Sequence, residues 1–286
     1  MRPGVAGLLP RHPAAITAAH GARLRELGFT GASIGVDPDA TTDRALTEAR
    51  EVLAAHGVRV AQVTASYPAL VSEDESPRRE GIRIVQRACR ATRLLDGVFF
   101  LVRSGTLRPG RGSDYRPDPA NYTPAARDRL VRSLIQASAA AEQEGVLLGL
   151  ECHVTTTLRS PRDVREIVEA VGSPALRYNA DPVNFVSSLA DAFHTTPLLH
   201  HVFEELGPYI VSAHVKDVCV GERLIVHLDE CAPGAGIFDL ATFLRLYEQY
   251  HPDGYAMIEH LPDSQVPAAK QALDAVLTGA GLSWKV

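Results

Sequence analysis

A short apolar run followed by a longer amphipathic stretch recurs along the whole chain, and this alternation restricts the fold more than any single motif does. Apolar runs fall at 5–9, 31–34, 59–64, 98–103, 146–151, 176–179, 210–214 and 255–259. Helical spacing occupies 14–27, 42–56, 76–95, 123–144, 161–171, 187–206 and 240–250, and a last helix is predicted at 266–278. Residues 146–150 read VLLGL, apolar throughout, as a parallel strand covered on both faces should. Ser160-Pro161 offers a capping hydroxyl before a proline at the first helical position. Gly57 and Gly145 stand where a helix must end before a strand begins. Eight such units predict an α/β chain closed into a (β/α)8 barrel, one domain over 1–286. A barrel of this length has core enough to fold without a disulfide or a structural metal.

The doubly wound alternative lacks its marks. LLPRHPAA, after the first apolar run, has no G-x-G-x-x-G, and no P-loop occurs in the chain. Two segments are too long for simple connections: 104–121, rich in Gly, Pro and Arg, and 219–238, which has room for a small hairpin. Both follow strands, so in a barrel they overhang the face where active sites form, as a lid or a specificity wall.

Charge and cysteine usage exclude several partners. The net charge is −5, and the arginines clustered between Arg103 and Arg116 are matched by acids elsewhere, so no nucleic-acid partner is expected. Cys89, Cys152, Cys219 and Cys231 form no C-x-x-C pair, which reads as reduced thiols in a cytoplasmic protein. MRPGVAGLLPRH is too short in its apolar run for a signal peptide. The run at 98–102 is far below the ~20 residues of a membrane span, so no membrane partner is expected.

Four polar residues end the last four predicted strands or follow them: Glu151, Asp181, His214 and Glu259. Each alone reads as a capping or solvated side chain. In a barrel, however, the ends of consecutive strands lie side by side, so the four converge. Three crowded carboxylates repel unless they are protonated or neutralised by a cation. One divalent ion resolves that conflict. Oxygen-rich ligation with one imidazole favours Mn²⁺, with Mg²⁺, Co²⁺ and Zn²⁺ as alternatives.

The segments GLECH (149–153), NADPVNF (179–185), SAHVKDV (212–218), APGAGIFDL (232–240) and IEHL (258–261) resemble the xylose isomerase-like TIM-barrel superfamily. That group contains sugar isomerases and epimerases together with endonuclease IV. The resemblance covers the C-terminal half, while the N-terminal half agrees in its alternation. It implies that Glu151, Asp181, His214 and Glu259 are the metal ligands. It also implies that Glu151 and Glu259 are the catalytic pair, facing a substrate carbon next to a carbonyl. One carboxylate takes the proton and the other returns it, through an enediolate that the metal stabilises. A ligand role alone for both glutamates stays open. The implied substrate is a small polyhydroxylated carbonyl compound: a sugar, a cyclitol or a keto-sugar.

Residue spacing adds substrate-binding candidates. His153 lies two residues beyond Glu151 and Lys216 two beyond His214, so each shares its neighbour's face on an extended chain. For Lys216 an ordinary ion pair with Asp217 or another acid is the competing reading, and Asp217 itself reads as structural. Asn184 stands where many epimerases of the family carry the His of a D-x-x-H motif. Asn donates and accepts hydrogen bonds but cannot shuttle a proton near neutral pH.

Other residues carry weaker expectations. His227 and Glu230 lie within reach of the mouth, His200 and His201 belong to a helix, and His260 should face away from Glu259. Gly234 and Gly236 suit turns with positive φ, Arg103 suits a solvated rim, and Cys152 a buried apolar position. The same enolate chemistry admits a second enzyme reading, a lyase or dehydratase acting on a keto-sugar or keto-glycoside. A non-catalytic metal- or sugar-binding partner subunit is the contrasting class. Endonuclease activity is disfavoured, because the N-terminal strand ends offer His12, Gln62, Thr64 and Arg103 rather than a multi-metal ligand set. Relatives of this kind are often homo-oligomers, but no interface is legible in the chain.

Overall fold

The structure is a computed structural model that describes residues 1–108 and 115–285. Strands β1 (Arg2–Val5), β2 (Gly31–Val36), β3 (Arg59–Ala65), β4 (Phe100–Arg103), β5 (Leu148–Glu151), β6 (Leu176–Ala180), β7 (Ile210–Val215) and β10 (Tyr255–Ile258) pair in parallel. Their ring order, β1-β10-β7-β6-β5-β4-β3-β2, closes on itself as a TIM barrel. Helices α1 (Ala18–Glu26), α2 (Asp43–Ala54), α3 (Glu75–Leu94), α4 (Pro124–Glu144), α5 (Pro161–Val171), α6 (Leu189–Phe193), α7 (Thr195–Leu206), α8 (Leu240–Tyr250) and α9 (Val266–Gly279) surround it. Among the described residues no helix is long and apolar enough to cross a membrane.

Local chemistry sets several of these ends. The Ser160 hydroxyl accepts the Asp163 amide at 3.1 Å and Pro161 opens α5, a cap worth about 1 kcal/mol. Gly145 (φ 68°) closes α4, and Gly57 (φ 67°) turns the chain towards β3. Two expectations shift. The first strand is Arg2–Val5 rather than 5–9, with Arg2 in register with Tyr255 and Val5 with Ile258. Pro3 and Gly4 made that stretch read as a turn, since neither favours a strand interior. The helix expected at 187–206 is broken at His194 (φ −134°, ψ 54°) into α6 and α7.

Alternation within each strand sorts side chains between two cores. Leu148, Leu150, Tyr178 and Ala180 belong to the layer that packs with Leu134 and Ile167 of the helices. Phe99, Leu101 and Val211 fill the barrel axis. A Cβ on Gly149 would run into the Phe99 ring, so that glycine keeps the axis space for the aromatic side chain. The residues left to point inward at the C-terminal ends are polar, and they line the mouth.

Two excursions rise over that mouth. The second is the hairpin foreseen in the sequence: β8 (Asp217–Val220) pairs antiparallel with β9 (Leu228–Cys231). Its root is gathered by one carboxylate. Asp217 accepts the backbone amides of Val218 and Phe238 at 2.8 Å, Gly234 at 3.0 Å and Gly236 at 3.1 Å. Gly234 has the expected positive φ, 85°. Gly236 does not; it is small because a Cβ there would strike the Asp217 carboxylate and the Val218 carbonyl. In the first excursion Asn121 accepts the Leu107 amide and donates to the Thr155 carbonyl, each at 2.9 Å. Residues 109–114, on which part of the lid and arginine-cluster reading falls, lie outside the described residues.

Candidate metal centre

Glu151 is the last residue of β5, His214 lies one residue before the end of β7, and Asp181 and Glu259 directly follow β6 and β10. These strands are neighbours in the ring. One ligand-capable atom from each of the four side chains lies within 4.8 Å of the others, and all four residues are buried. His214 Nδ1 stands 3.0 Å from Glu259 Oε1, 3.1 Å from Glu151 Oε1 and 3.7 Å from Asp181 Oδ2. Yet His214 Nδ1, Glu259 Oε1 and Asp181 Oδ1 have no aligned hydrogen-bond partner and are cut off from solvent. Three buried polar atoms left in this way are costly unless another group satisfies them.

The neighbours of these residues indicate which group. His214 Nε2 lies 2.7 Å from Gln62 Oε1, while Gln62 Nε2 donates to Ser33 Oγ. Nε2 therefore carries a proton, and Nδ1 is the nitrogen turned towards the carboxylates. Lys216 Nζ sits 2.7 Å from Asp181 Oδ2 and 3.0 Å from Glu259 Oε1. Three carboxylates against one ammonium leave two negative charges when the imidazole is neutral, the charge of one divalent cation. A cation with bonds of ~2.1 Å holds its ligands ~3–4 Å apart, close to the spacing found. The donor set and its charge fit a divalent metal.

The titration behaviour agrees with this crowding. Burial opposes a charge on His214, but Glu259, Asp181 and Glu151 around it hold its pKa well above the ordinary histidine value. Burial likewise opposes the Lys216 charge and is outweighed by Asp181, Glu259 and Glu151, which raise its pKa. Burial would raise Glu259, yet His214 and Lys216 hold it well below the usual carboxylate range. A proton and a metal ion therefore compete for the same atoms.

Asn184, His153 and Lys216 all lie beside this cluster. Asn184 gives its amide hydrogens to Asp181 Oδ2 (2.8 Å) and the Cys152 carbonyl (3.1 Å), and it accepts from Lys216 at 3.4 Å. Both its hydrogens are thus committed to the protein. His153 directs Nδ1 to Thr155 and packs its ring against Tyr115, centroids 5.0 Å apart. Lys216 reaches two of the clustered carboxylates rather than Asp217, whose oxygens are occupied by backbone amides. His260 corrects the expectation that it faces away. Its φ of 57° swings the ring back, with Nδ1 3.0 Å from Glu230 Oε1 and Nε2 3.7 Å from Glu259 Oε1. Glu230, carried in by β9, also stands 3.7 Å from Lys216. His227 instead binds the Ile225 carbonyl in its own turn. His200 and His201 lie on α7, and Cys152 is fully buried. Arg103 lies over the Tyr67 ring and donates to the Ala65 carbonyl.

Two members of the site have no role assigned from sequence. Gln62 left a signal, an amide flanked by apolar residues inside the RVAQVTA strand. Tyr115 left none. It donates its hydroxyl to Glu151 Oε2 at 2.6 Å from a segment 36 residues upstream. Burial and then Glu151 push its pKa up, so it stays a protonated donor.

The family model described as xylose isomerase-like TIM barrel matches residues 15–278. No curated protein matches the chain by sequence. A solved xylose isomerase-like TIM barrel protein from Mycobacterium smegmatis in complex with magnesium is similar, with TM-score 0.73 and 18% identity over 98% of this chain and 97% of that one. A D-tagatose 3-epimerase-like protein gives TM-score 0.75 and 19% identity, covering 98% of each chain. The apo form of 3-keto-D-glucoside 4-epimerase from E. coli gives 0.70 and 16%, over 97% of this chain and 99% of that one. At these identities the likeness to solved structures is one of fold. It takes in the N-terminal half as fully as the C-terminal half.

Proposed function

The chain belongs to the xylose isomerase-like TIM-barrel family, and from that premise we propose that it is a divalent-metal-dependent isomerase or epimerase acting on a small polyhydroxylated carbonyl compound. Sugars, cyclitols and keto-sugars are its substrate class in this reading, and ketoses and a keto-glucoside stand in the names of epimerases that share its fold. One observation carries the reading: the buried Glu151–Asp181–His214–Glu259 cluster, whose two glutamates come from strands that are not neighbours in the ring. β5 and β10 stand three strands apart in a ring of eight, so Glu151 and Glu259 approach the mouth from nearly opposite directions.

When bound, a divalent ion, with Mn²⁺ preferred, supplies Lewis acidity to the substrate carbonyl oxygen. The chain's own groups do the rest. One of Glu151 and Glu259 removes the proton next to the carbonyl, and the other returns it from the far side, which inverts the centre. Tyr115 holds Glu151 Oε2 and so keeps Oε1 turned towards His214. Lys216 balances Asp181 and Glu259 and faces the negative charge that develops on the substrate. Asn184 steadies Asp181 through its amide and ends the substrate-facing wall, and His153, its ring tilted against Tyr115, directs Nε2 to a substrate hydroxyl.

The Glu230–His260 pair favours one second reading. A group beside Glu259 that can donate a proton to a β-hydroxyl or β-glycosyl leaving group would turn the same enolate towards elimination.

The test is metal content of the wild type and of Glu259→Ala, together with proton exchange in deuterated buffer on ketoses, inososes and keto-glycosides. The expected result is one ion per chain, lost in the variant, and deuterium incorporated next to a carbonyl. A product lighter by water or a sugar selects the lyase. No ion in either protein sinks the site, and an ion without exchange points to a binder or partner subunit.

A further inference from the structure

A second concave site lies on the opposite end of the barrel from the carboxylates. A cavity of about 430 Å³ opens there among Arg2, Arg25, Arg50 and Arg59. It sits between the N-terminal ends of β1, β3 and β10 and the C-terminal ends of α1, α2 and α3. Val58, Val60 and Leu95 give it an apolar floor, and Tyr255 borders it.

Several surface arginines away from this cavity close tight ion pairs, while Arg23–Asp263 and Arg129–Glu73 (3.4 Å) and Arg159–Asp163 (3.5 Å) are looser. Arg83 and Asp39, and Arg165 and Glu205, close ion pairs of 2.6 Å, and Arg127 and Glu166 one of 2.7 Å. Around the cavity the contacts are long: 3.6 Å for Arg59–Asp96, 3.6 Å for Arg50–Glu51 and 3.8 Å for Arg2–Asp253. Among the described residues Arg25 meets only the Phe29 carbonyl, at 3.5 Å, and Arg50 adds the Leu94 carbonyl at 3.4 Å. Hydrogen bonds from a guanidinium that is well matched run ~2.7–2.9 Å. Cations near helix C-termini are ordinary, since the dipole welcomes them. Four arginines line this one cavity against a single lining carboxylate, Asp96, a positive excess that three helix ends do not account for.

We propose that this face binds a phosphate-bearing small molecule of mononucleotide size. The guanidiniums take the phosphate, and the apolar floor takes a flat, weakly polar part. The volume lies in the range of small-molecule pockets, roughly 300–1,000 Å³. The charge is concave and local on a chain of net charge −5, which favours a small anion over a nucleic-acid backbone. Tyr255 and Glu259 are four residues apart along one strand direction, so the two sites stand about 13 Å apart at their nearest. Occupancy here is independent of the carboxylate cluster.

Isothermal titration in 0.15 M NaCl tests this, with AMP, inorganic phosphate and adenosine as probes. The proteins are wild type, Arg25→Gln/Arg59→Gln and, as control, Glu259→Ala. Both substituted arginines are surface residues, and a thermal melt checks that the double variant is folded. AMP should bind saturably, phosphate more weakly and adenosine not at all. The double variant should weaken AMP about tenfold or more, and Glu259→Ala should bind it as the wild type does. The proposal is overturned by absence of saturable AMP binding, by adenosine binding as well as AMP, or by phosphate alone binding as tightly as AMP. Retained affinity in the double arginine variant overturns it too, as does loss of AMP binding in Glu259→Ala, which would move the ligand to the carboxylate mouth.

Discussion

Strands β5, β6, β7 and β10 carry the charged members of the buried cluster, or the residues directly after their ends. The half made of β1 to β4 brings neutral groups to the same place: Gln62 from β3, with Ser33 of β2 behind it, and Tyr115 from the excursion after β4. One half sets the charge of the mouth and the other sets the orientation of its atoms. A side chain of the first kind cannot be removed without changing the electrostatic balance of a buried site. One of the second kind leaves the charge intact and loosens a ligand or a base. Metal sites generally need both, and the supporting partners hold a substantial share of the affinity.

Graded substitutions test that division. Glu259→Ala should have the largest effect, near-complete loss of bound metal. Gln62→Leu should keep the site but weaken metal binding about 10- to 100-fold, read by metal titration against a competing chelator. If it abolishes binding outright, the contrast between charge and support fails. Asn184→Ala should weaken metal binding about tenfold, at the lower edge of that range, because Asp181 loses one partner but keeps Lys216. Asn184 sits on the charged half, so an effect as large as that of Glu259→Ala would mean that position in the ring, not charge, decides. Tyr115→Phe should be smallest: metal content unchanged and the exchange rate down about three- to tenfold, roughly 1 kcal/mol at Glu151. A change in metal stoichiometry would place Tyr115 among the groups that hold the ion.

The same contrast separates the residues that are legible in the sequence from those that are not. Glu151, Asp181, His214 and Glu259 are legible because each ends a predicted strand or follows one, and a parallel barrel brings such ends together without further information. Gln62 is visible as a polar strand residue but has no partner in view, since the 152 residues separating it from His214 carry no mark of their pairing. Tyr115 depends on how a long Gly- and Pro-rich excursion folds back, which periodicity does not encode. The expectation for His260 fails for a local reason: alternation presumes extended backbone, and a φ of 57° breaks it. Pro3 and Gly4 hide the first strand in a similar way, because pairing to β10 overrides their poor strand propensity. The hairpin over the mouth is foreseeable as a segment, whereas its use of Glu230 against Lys216 and His260 does not follow from residue type alone.

The grip of Asp217 on four backbone amides has an evolutionary consequence. One carboxylate ties the departing and returning ends of the β8–β9 excursion together, so the excursion behaves as a cassette with a fixed socket. Lengthening a loop whose ends are already held costs little, about 0.6 kcal/mol for each doubling. Leu224, Ile225 and Val226 at its tip are exposed and add nothing to the barrel core. Replacements between 221 and 227 can therefore accumulate without disturbing β7 or the cluster beneath it. The arrangement lets a barrel of this kind exchange the wall above its chemistry while keeping the chemistry itself.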